Sequence, residues 1–543
     1  MTGTASPGAT THERAGLHHA DDGTHVSDET IALQAPTTSS TDVTAEPKPE
    51  RPSGRVRAWL SQATWFWPAV VTTGLALWPL GGPVLWQDEL VTLDVARRSL
   101  GQIRGLIYQV DAVHATYYAF MHFWVRVFGE SAIALRLPSV LAMAAAAGCV
   151  ALIGRRLYGP AVGLVGGLVF ALVPAVTRFG QEARSYGFVV LAAALATLFL
   201  LRAVERPTVL RWAWYAASVA ACVLFNAVSG AIIVGHAAGL VVLLWRRWSW
   251  RPVVGFVVAL GLAAVAASPV LRLAMKQADR QVTWVPRFPA LETWQGTVAS
   301  VEVAYAMLAL ALVAWLRPRR ATAFLTVAVG LPLLAVWIYS LGDINYFFAK
   351  YLLFVLPASA VLVGAGLVAI RWRWAPAVGL VTVALLGLPD HVAMRSDLSH
   401  GWYTYPLSRP LNTDLDYRAA ARIIAERYQP GDGAVYMRGG AWWYMIDVGV
   451  KHYLPESVQP RDVFLAITPA QNFELYPIEC GAECLRGEQR LWVVVVGHTD
   501  DVISPMEPVM DATAKEALRT DYVQTWWTHE VSGLTVALLE RRA

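Results

Sequence analysis

An acidic pair, Asp88-Glu89, follows the first long apolar stretch of the sequence and stands between Trp86 and Leu90. Two adjacent carboxylates at a membrane surface repel each other and are costly to desolvate. Adjacent residues also point in different directions on a helix or a strand. We therefore predict that one acid faces a reacting centre and that the other anchors the loop. The alternative is a solvated loop that carries two acids.

Further polar residues follow in the same loop, namely Asp111, His114 and the pair Tyr117-Tyr118. His114 could shuttle a proton, bind a ligand or hydrogen-bond a substrate, and a structural role is the alternative. With the acidic pair, Asp111 and His114 could supply the oxygen and imidazole ligands of a hard cation. Sequence distance does not show that these side chains converge. The prediction is therefore no metal and no cofactor, with a divalent cation as the alternative.

The composition favours an integral membrane protein. The chain has 543 residues, of which 56% are hydrophobic and only 15% are charged. A soluble chain usually carries about 25% charged residues. The 23 Trp and 19 Tyr fit this interpretation, because both residues concentrate at membrane interfaces. The net charge of +4 is too small to indicate a nucleic-acid partner.

Apolar stretches long enough to cross a bilayer as helices occur along most of the sequence. They lie near 64–82, 133–153, 160–177, 184–203, 211–227, 229–246, 252–270, 297–316, 321–341, 349–370 and 374–390. Arginine clusters separate them at every second loop, and eleven spans place all of these clusters on one side. By the positive-inside rule that side is cytoplasmic. We therefore predict a multi-pass protein of the cell (plasma) membrane, with a cytoplasmic N-terminus and with Asp88-Glu89 on the outer face.

Three regions are predicted. Residues 1–58 are rich in Thr, Ser, Pro and charge, which is typical of a disordered tail, here cytoplasmic. Residues 59–390 form the transmembrane domain, whose first outer loop spans 82–132; another outer loop is expected at 271–293. Residues 391–543 form an extracytoplasmic linker and a small α/β domain.

Local patterns predict elements within these regions. In the first outer loop, Leu90–Leu100 and Tyr117–Phe128 have helical periodicity and are expected to lie in the interface with their apolar sides in lipid. The elements expected in the α/β domain are a helix over 414–428, strands over 434–437 and 491–496, and a hairpin over 522–539 that turns at Ser532-Gly533. A disulfide between Cys480 and Cys484 is plausible if that domain is outside the cell.

The motifs, in their order along the chain, resemble one family, the C superfamily of membrane glycosyltransferases (GT-C). The resemblance is to its bacterial protein O-mannosyltransferase-like and aminoarabinose transferase-like members in particular. The matching segments are Asp88-Glu89, His114 with Tyr117-Tyr118, Gln181 to Tyr186, and Lys350-Tyr351-Leu352-Leu353. The resemblance covers roughly residues 60–390. The family usually has Pro after the histidine, where this chain has Ala115. It often has Arg where Lys350 stands, so the positive charge is kept.

The resemblance implies transfer of a sugar, mannose by family default, from a polyprenyl-phosphate carrier to an acceptor hydroxyl, with inversion, on the outer face. Asp88 matches the first acid of the motif and is the implied general base, a role worth about 10²–10⁴-fold in rate. Glu89 is placed beside it in the catalytic pair, where it orients the loop or contacts the sugar or the acceptor.

The departing lipid phosphate needs positive charge, and Arg184 and Lys350 are the implied phosphate clamp. Snorkelling of both side chains to the interface is the alternative. The other substrate-binding candidates are Asp111, His114, Tyr117, Tyr118, Glu182, Tyr186 and Tyr351. The implied partners are the donor lipid, a glycan, glycolipid or protein acceptor, and the bilayer, with no nucleic acid.

Other function classes share the topology. A transporter or flippase of a lipid-linked saccharide often shows internal repeats and polar residues at the midplane, and this sequence shows neither. A non-catalytic envelope scaffold could use the C-terminal domain to bind a partner. A polymer ligase or polymerase with a pyrophosphate carrier gives no reason for an Asp-Glu pair directly after the first span.

Overall fold

The computed structural model describes residues 63–246, 248–395, 415–438, 445–506 and 510–543. Within these ranges the chain forms a bundle of helices, followed by a smaller α/β domain. The tail predicted for residues 1–58 lies outside the described residues.

The bundle consists of helices joined by short connections. In chain order they are α1 (Phe66–Leu77), α2 (Gln87–Arg97), α3 (Leu100–Gln109), α4 (Ala115–Phe128), α5 (Ala132–Tyr158), α6 (Pro160–Leu172), α7 (Pro174–Gly180), α8 (Tyr186–Glu205), α9 (Val209–Phe225), α10 (Ile232–Leu244), α11 (Trp250–Gln281), α12 (Ala290–Val298), α13 (Val301–Val313), α14 (Arg320–Tyr339), α15 (Leu356–Ala369) and α16 (Ala375–Ala393). Short 3₁₀ turns include Ala112–His114 and Ala349–Tyr351.

Six of the described helices are long and apolar enough to cross a membrane, namely α5, α8, α10 with its preceding turn, α11, α14 and α16. Two bent pairs, α6 with α7 and α12 with α13, raise the number to eight if each pair is one span. The three remaining predicted stretches correspond to the shorter apolar helices α1, α9 and α15. The predicted helical membrane fold is confirmed, whereas the number of eleven spans stays a prediction.

The bend of 62° between α6 and α7 carries charged residues to one end of the bundle. It occurs where Val173 is extended in front of Pro174, because proline disfavours a helical conformation in the preceding residue. After α7 the chain turns through residues 181–185 and enters α8 at Tyr186. This buried connection brings Arg178, Glu182 and Arg184 close to α2.

Close helix contacts make the centre of the bundle rigid. A Cβ on Gly163 of α6 would lie 2.5 Å from the carbonyl oxygen of Ala151 on α5. A Cβ on Gly364 of α15 would lie 2.6 Å from the backbone nitrogen of Gly166 on α6. Small residues let helix backbones approach closely, which is a common packing device in membranes. Helices α5, α6 and α15 therefore form a fixed platform beneath the first outer loop.

Helix α11 is longer than predicted. It continues through Pro269 and ends at Gln281, so the first part of the predicted 271–293 loop is helical. The sequence suggested an end near 270 because proline removes one helical hydrogen bond and usually ends or kinks a helix. The added turns bring Gln277 to the first outer loop.

The α/β domain contains a five-stranded sheet of order β2-β1-β5-β7-β6. Its elements are α17 (Tyr417–Arg427), β1 (Gly433–Tyr436), α18 (Ile446–Tyr453), β2 (Arg461–Asp462), β3 (Leu465–Ile467), α19 (Pro469–Asn472), β4 (Ile478–Glu479), β5 (Arg490–Val496), α20 (Ala512–Asp521), β6 (Tyr522–Val531) and β7 (Leu534–Arg541). Strand β1 pairs in parallel with β2 and β5, and β7 pairs antiparallel with β5 and β6. The predicted strands and the hairpin at Ser532-Gly533 are confirmed. A disulfide joins Cys480 to Cys484.

The α/β domain covers helix α2. The Leu85 backbone N–H donates to the Tyr453 hydroxyl at 2.9 Å, and Arg418 donates to the Gly82 carbonyl at 3.1 Å. Leu90 belongs to an apolar cluster that also contains Tyr417 of α17. The loop and the C-terminal domain therefore share one core.

This shared core corrects one prediction for the first outer loop. The stretch Leu90–Leu100 was expected to be one interfacial helix with its apolar side in lipid. It is instead divided between α2 and α3, and Leu90 and Leu93 are fully buried against protein. Helical periodicity reveals an apolar face but not whether lipid or protein covers it. Helix α4, by contrast, leaves Phe123 exposed, as an interfacial helix would.

Candidate active site

The acidic pair lies in the first turn of helix α2. The helix begins directly after Trp86, whose backbone is extended. Glu89 accepts a hydrogen bond from the Trp86 backbone N–H at 3.3 Å, and this bond closes the first turn. Acidic residues are favourable at this end of a helix because the unpaired backbone N–H groups carry partial positive charge. Asp88 and Glu89 occupy consecutive positions of the turn and contact different partners.

Glu89 is an anchor. Its side chain has no exposed surface, and its two oxygens accept hydrogen bonds from Arg136 at 2.8 and 2.7 Å. The first oxygen also accepts from the Ala183 backbone N–H at 2.9 Å. Glu89 was predicted to belong to the catalytic pair with Asp88. Because both of its oxygens are engaged and buried, the structure favours the anchoring role for Glu89 and leaves Asp88 to face the site.

Arg136 was not among the predicted site residues. Its guanidinium donates to the carbonyl oxygens of Leu80, Pro83 and Val84 in addition to Glu89. Arg136 therefore holds in place the segment that leads into α2. A signal was present, since Arg136 falls within the apolar stretch 133–153, where an arginine is expensive unless it is paired.

Asp88 faces two cations. Its Oδ2 lies 3.3 Å from the ammonium nitrogen of Lys350 and 3.7 Å from Nε of Arg184. The Asp88 side chain is 28% exposed, whereas the two basic side chains are almost completely buried. Residues more than 260 positions apart in the sequence are thus brought together. Asp88 therefore contacts both of the residues that the resemblance implied as the phosphate clamp.

Aromatic rings surround the Lys350 ammonium. The rings of Trp86, Tyr186 and Trp284 have their centroids 5.6, 5.8 and 5.6 Å from it. A cation over an aromatic face is stabilised by the ring quadrupole. The arrangement explains how a lysine can remain charged while buried. Trp284 was not singled out in the sequence because it stands in a loop whose contacts only the fold defines.

The second polar group packs around Arg184. Nη2 of Arg184 lies 2.7 Å from Nε2 of His114, and Nη1 lies 3.5 Å from the Tyr118 hydroxyl. The Tyr118 hydroxyl donates a short hydrogen bond to Asp111. Asp111 adopts a left-handed backbone conformation with φ of 63°. His114, Tyr118 and Asp111 therefore form a chain of hydrogen bonds that orients Arg184.

Gln277 of α11 fixes this loop from the other side. Its amide oxygen accepts from the Ala112 backbone N–H at 2.9 Å, and its amide nitrogen donates to the Ile107 carbonyl at 3.0 Å. The two bonds bracket the left-handed residue Asp111. Gln277 lay in a predicted loop, where no motif or periodicity marked it.

The remaining predicted residues lie around this centre. Tyr117 is fully buried and packs its ring against Phe188, so it supports α4. Glu182 pairs with Arg178 at 2.6 Å, and both side chains are buried. Tyr351 packs against Phe348 beside Lys350.

Burial and neighbouring charges together set the protonation states of Asp88 and His114. Burial alone raises the pKa of Asp88, but the Lys350 and Arg184 cations outweigh burial and hold that pKa at about 2. Burial and then the Arg184 guanidinium lower the pKa of His114 to about 4. At neutral pH Asp88 is therefore a carboxylate and His114 is a neutral imidazole. Because Nε2 accepts from Arg184, the imidazole proton is on Nδ1, which is buried and has no hydrogen-bond partner among the described residues.

A metal site was the alternative considered for the acidic pair with Asp111 and His114. Within the described parts of the chain, no three His, Cys, Asp or Glu side chains are grouped so that they could hold a metal ion. Glu89 is engaged by Arg136 and Asp88 by two cations.

Comparison with known proteins supports the fold. Residues 115–272 match the family model described as "Dolichyl-phosphate-mannose-protein mannosyltransferase". The matched residues include helix α4 and Arg184, but neither Asp88 nor Lys350. No curated protein matches the chain by sequence.

Two solved structures cover nearly the whole chain. ArnT from Cupriavidus metallidurans in the apo state has a TM-score of 0.52 at 13% identity, over 90% of this chain and 98% of that one. The same protein bound to undecaprenyl phosphate has a TM-score of 0.53 at 13% identity, with the same coverage. At this identity the likeness defines the fold. The chain therefore has the fold of the GT-C membrane glycosyltransferases, which confirms the resemblance found in its sequence.

Proposed function

We propose that the protein is a glycosyltransferase that moves a sugar from a polyprenyl-phosphate carrier to an acceptor hydroxyl on the outer face of the plasma membrane. The observation that carries this proposal is the contact of one carboxylate, Asp88, with the two cations Lys350 and Arg184. A base next to fixed positive charge suits a displacement in which an alcohol attacks and a phosphate leaves.

The reaction is a single displacement. Asp88 takes the proton of the acceptor hydroxyl as its oxygen forms a bond to the anomeric carbon of the sugar. The bond from that carbon to the phosphate oxygen breaks, and the electron pair stays with the lipid phosphate. That phosphate gains one negative charge, which Lys350 and Arg184 stabilise. Attack opposite the leaving group inverts the anomeric carbon.

An apolar cavity lined in part by sequence neighbours of Lys350 suits the lipid chain of the donor. It has a volume of about 490 Å³ and is lined almost entirely by apolar side chains of α12 to α15. Phe347 and Leu352, which flank Lys350 in the sequence, both line it. A phosphate held at Lys350 could therefore extend its prenyl chain into this cavity. The similarity to ArnT bound to undecaprenyl phosphate supports the same donor class.

Mannose is the proposed sugar, because the family model that matches the chain is a mannosyltransferase model. The acceptor is a hydroxyl of a glycan, a glycolipid or a protein. The C-terminal domain covers α2, the helix that carries Asp88, so this domain is the proposed contact for the acceptor.

The test uses purified full-length protein and radiolabelled polyprenyl-phosphate mannose. Wild type is expected to release free lipid phosphate and to label an added acceptor, and Asp88→Asn is expected to lose about 10²-fold or more in rate. Asp94→Asn is the matched control, since Asp94 lies on the same helix but pairs with Arg98. Equal turnover by wild type and Asp88→Asn would show that Asp88 is not the base. Movement of the carrier across vesicles without release of lipid phosphate would favour a flippase instead.

A further inference from the structure

The two cations proposed to hold the donor phosphate are the same two that Asp88 contacts. Lys350 Nζ and Arg184 Nε lie 3.3 and 3.7 Å from one oxygen of that carboxylate. A phosphate bound by both cations would have to lie where this oxygen now lies. Two anions cannot share that position, because like charges in contact repel each other.

Among the described residues, Asp88 is the acid that contacts Lys350, and the nearby acid Glu182 is paired with Arg178. Lys350 also neighbours the faces of Trp86, Tyr186 and Trp284, which stabilise a cation but accept no conventional hydrogen bond. Asp88 is the only hydrogen-bond acceptor that the described residues present to Lys350 Nζ. The ammonium can therefore pair with Asp88 or with a ligand anion.

The nitrogen atoms of Arg184 have different partners. One terminal nitrogen is used by His114, and the other is near the Tyr118 hydroxyl and the Asp88 carbonyl. Its Nε is buried and makes no hydrogen bond to the described residues, and Asp88 Oδ2 lies just beyond hydrogen-bond distance. The Nε–H of Arg184 is therefore available to donate to a phosphate oxygen.

We infer that Asp88 and the phosphate of the donor lipid compete for Lys350 and Arg184, so that donor binding displaces Asp88 and frees it to act as the base. This inference rests on the proposed function. It makes binding ordered: the donor enters first, and the acceptor hydroxyl is activated only after the phosphate has taken the cations. Without a donor, Asp88 stays paired and deprotonates nothing.

The competition makes an unusual prediction for a catalytic residue. Asp88→Asn removes the competing charge but leaves both cations and nearly the same side-chain volume. The variant is expected to bind undecaprenyl phosphate about tenfold more tightly than wild type, although it does not transfer sugar. Asp94→Asn, with the same change of charge and shape on the same helix, is expected to bind like wild type. Lys350→Gln is expected to bind more weakly than wild type.

The experiment titrates undecaprenyl phosphate into each purified full-length variant in nanodiscs, with thermal unfolding as the check that each variant is folded. Tighter binding by Asp88→Asn alone supports the competition. Equal binding by wild type and Asp88→Asn overturns the competition and leaves the donor class intact. Weaker binding by Asp88→Asn shows instead that Asp88 helps to hold the phosphate. If no folded variant binds, the proposed donor class is wrong, and the inference fails with it.

Discussion

Arg136 and Glu89 form an ion pair with two hydrogen bonds, and neither side chain is exposed to solvent. The pair joins α5, at the centre of the rigid platform, to the first turn of α2. Since Asp88 precedes Glu89 directly, the position of the candidate base is set by this buried pair. The remaining bonds of Arg136 to Leu80, Pro83 and Val84 hold the incoming chain in the same way.

The first prediction concerns the cost of breaking this pair. Arg136→Leu leaves the Glu89 carboxylate buried without its cation, and loss of one partner of a buried pair typically costs about 3–5 kcal/mol. We expect a marked decrease in the unfolding temperature of the purified protein, together with loss of transfer. The measurement is thermal unfolding in detergent.

The matched control is another Arg-Glu pair of the same chain. Arg156 and Glu205 are 2.9 Å apart, but their side chains are 29% and 48% exposed. Pairs of this kind are worth about 0–1 kcal/mol. Arg156→Leu should therefore unfold close to wild type. A similar decrease in unfolding temperature in both variants would mean that burial does not make the Arg136 pair more important for stability than the exposed pair.

The second prediction concerns Gln277 as a positioning residue. Gln277→Leu leaves the buried Ala112 N–H and the Ile107 carbonyl without partners, and an unsatisfied buried group costs about 1–3 kcal/mol. The loop that orients Arg184 should loosen, so we expect kcat to fall more than KM rises. Gln277→Glu keeps the acceptor for Ala112 and should be intermediate. The exposed neighbour Lys276→Ala is the control, and a Gln277→Leu variant with wild-type kcat would contradict this role.

The third prediction concerns pH. The pKa of His114 is about 4, whereas an unfolded histidine titrates near 6.5, so the unfolded chain binds more protons between these values. The contribution of His114 to stability is therefore complete above about pH 6.5 and is lost as pH falls toward 4. Arg184 and Lys350 disfavour the imidazolium, and Asp111 and Asp88 favour it less strongly than burial opposes it.

The check compares unfolding temperatures at pH 7 and pH 4.5. Wild type should lose more stability over this interval than His114→Gln does. His498→Gln, which changes an exposed histidine of the C-terminal domain, should follow wild type. An equal loss in wild type and His114→Gln would show that His114 does not have the depressed pKa.

The fourth prediction concerns the contact between the C-terminal domain and the loop. Tyr453→Phe removes the hydroxyl that accepts from the Leu85 N–H and leaves that buried group without a partner. We expect lower transfer activity and a decrease of about 1–3 kcal/mol in the free energy of unfolding. Tyr428→Phe, in the same domain, serves as the control. Full activity in Tyr453→Phe would mean that the domain is not needed to hold α2 in place.

The parts of the fold that depend on local pattern could be predicted from the sequence. Each predicted apolar stretch corresponds to a helix or a bent helix pair, because length and hydropathy are local properties. The strand over 491–496 is also local, since every residue from Leu491 to Val495 is buried. The bend between α6 and α7, by contrast, could be located only in the structure.

The site was predictable only where a motif marked it. Asp88, Arg184 and Lys350 were selected by resemblance, and the structure brings them together. Arg136, Gln277 and Trp284 were missed because their roles depend on which backbone or cation lies opposite them. A side chain that bonds to the backbone of a distant loop leaves no periodic signal in the sequence. The different environments of Asp88 and Glu89 were anticipated from helix geometry alone, since consecutive residues diverge by about 100°.

The hydrogen bond from Leu85 to Tyr453 spans 368 positions of the chain. A residue of the first outer loop is thus held by a residue of the C-terminal domain. During biosynthesis the membrane helices can insert as they emerge, but the turn that carries Asp88 gains its last supports only when the final domain has folded. A prematurely terminated product would have the helices, the cations and the Arg136-Glu89 pair, yet the Leu85 N–H would lack its partner in the C-terminal domain. The C-terminal domain therefore completes the support of the first outer loop only after the whole bundle has been synthesised.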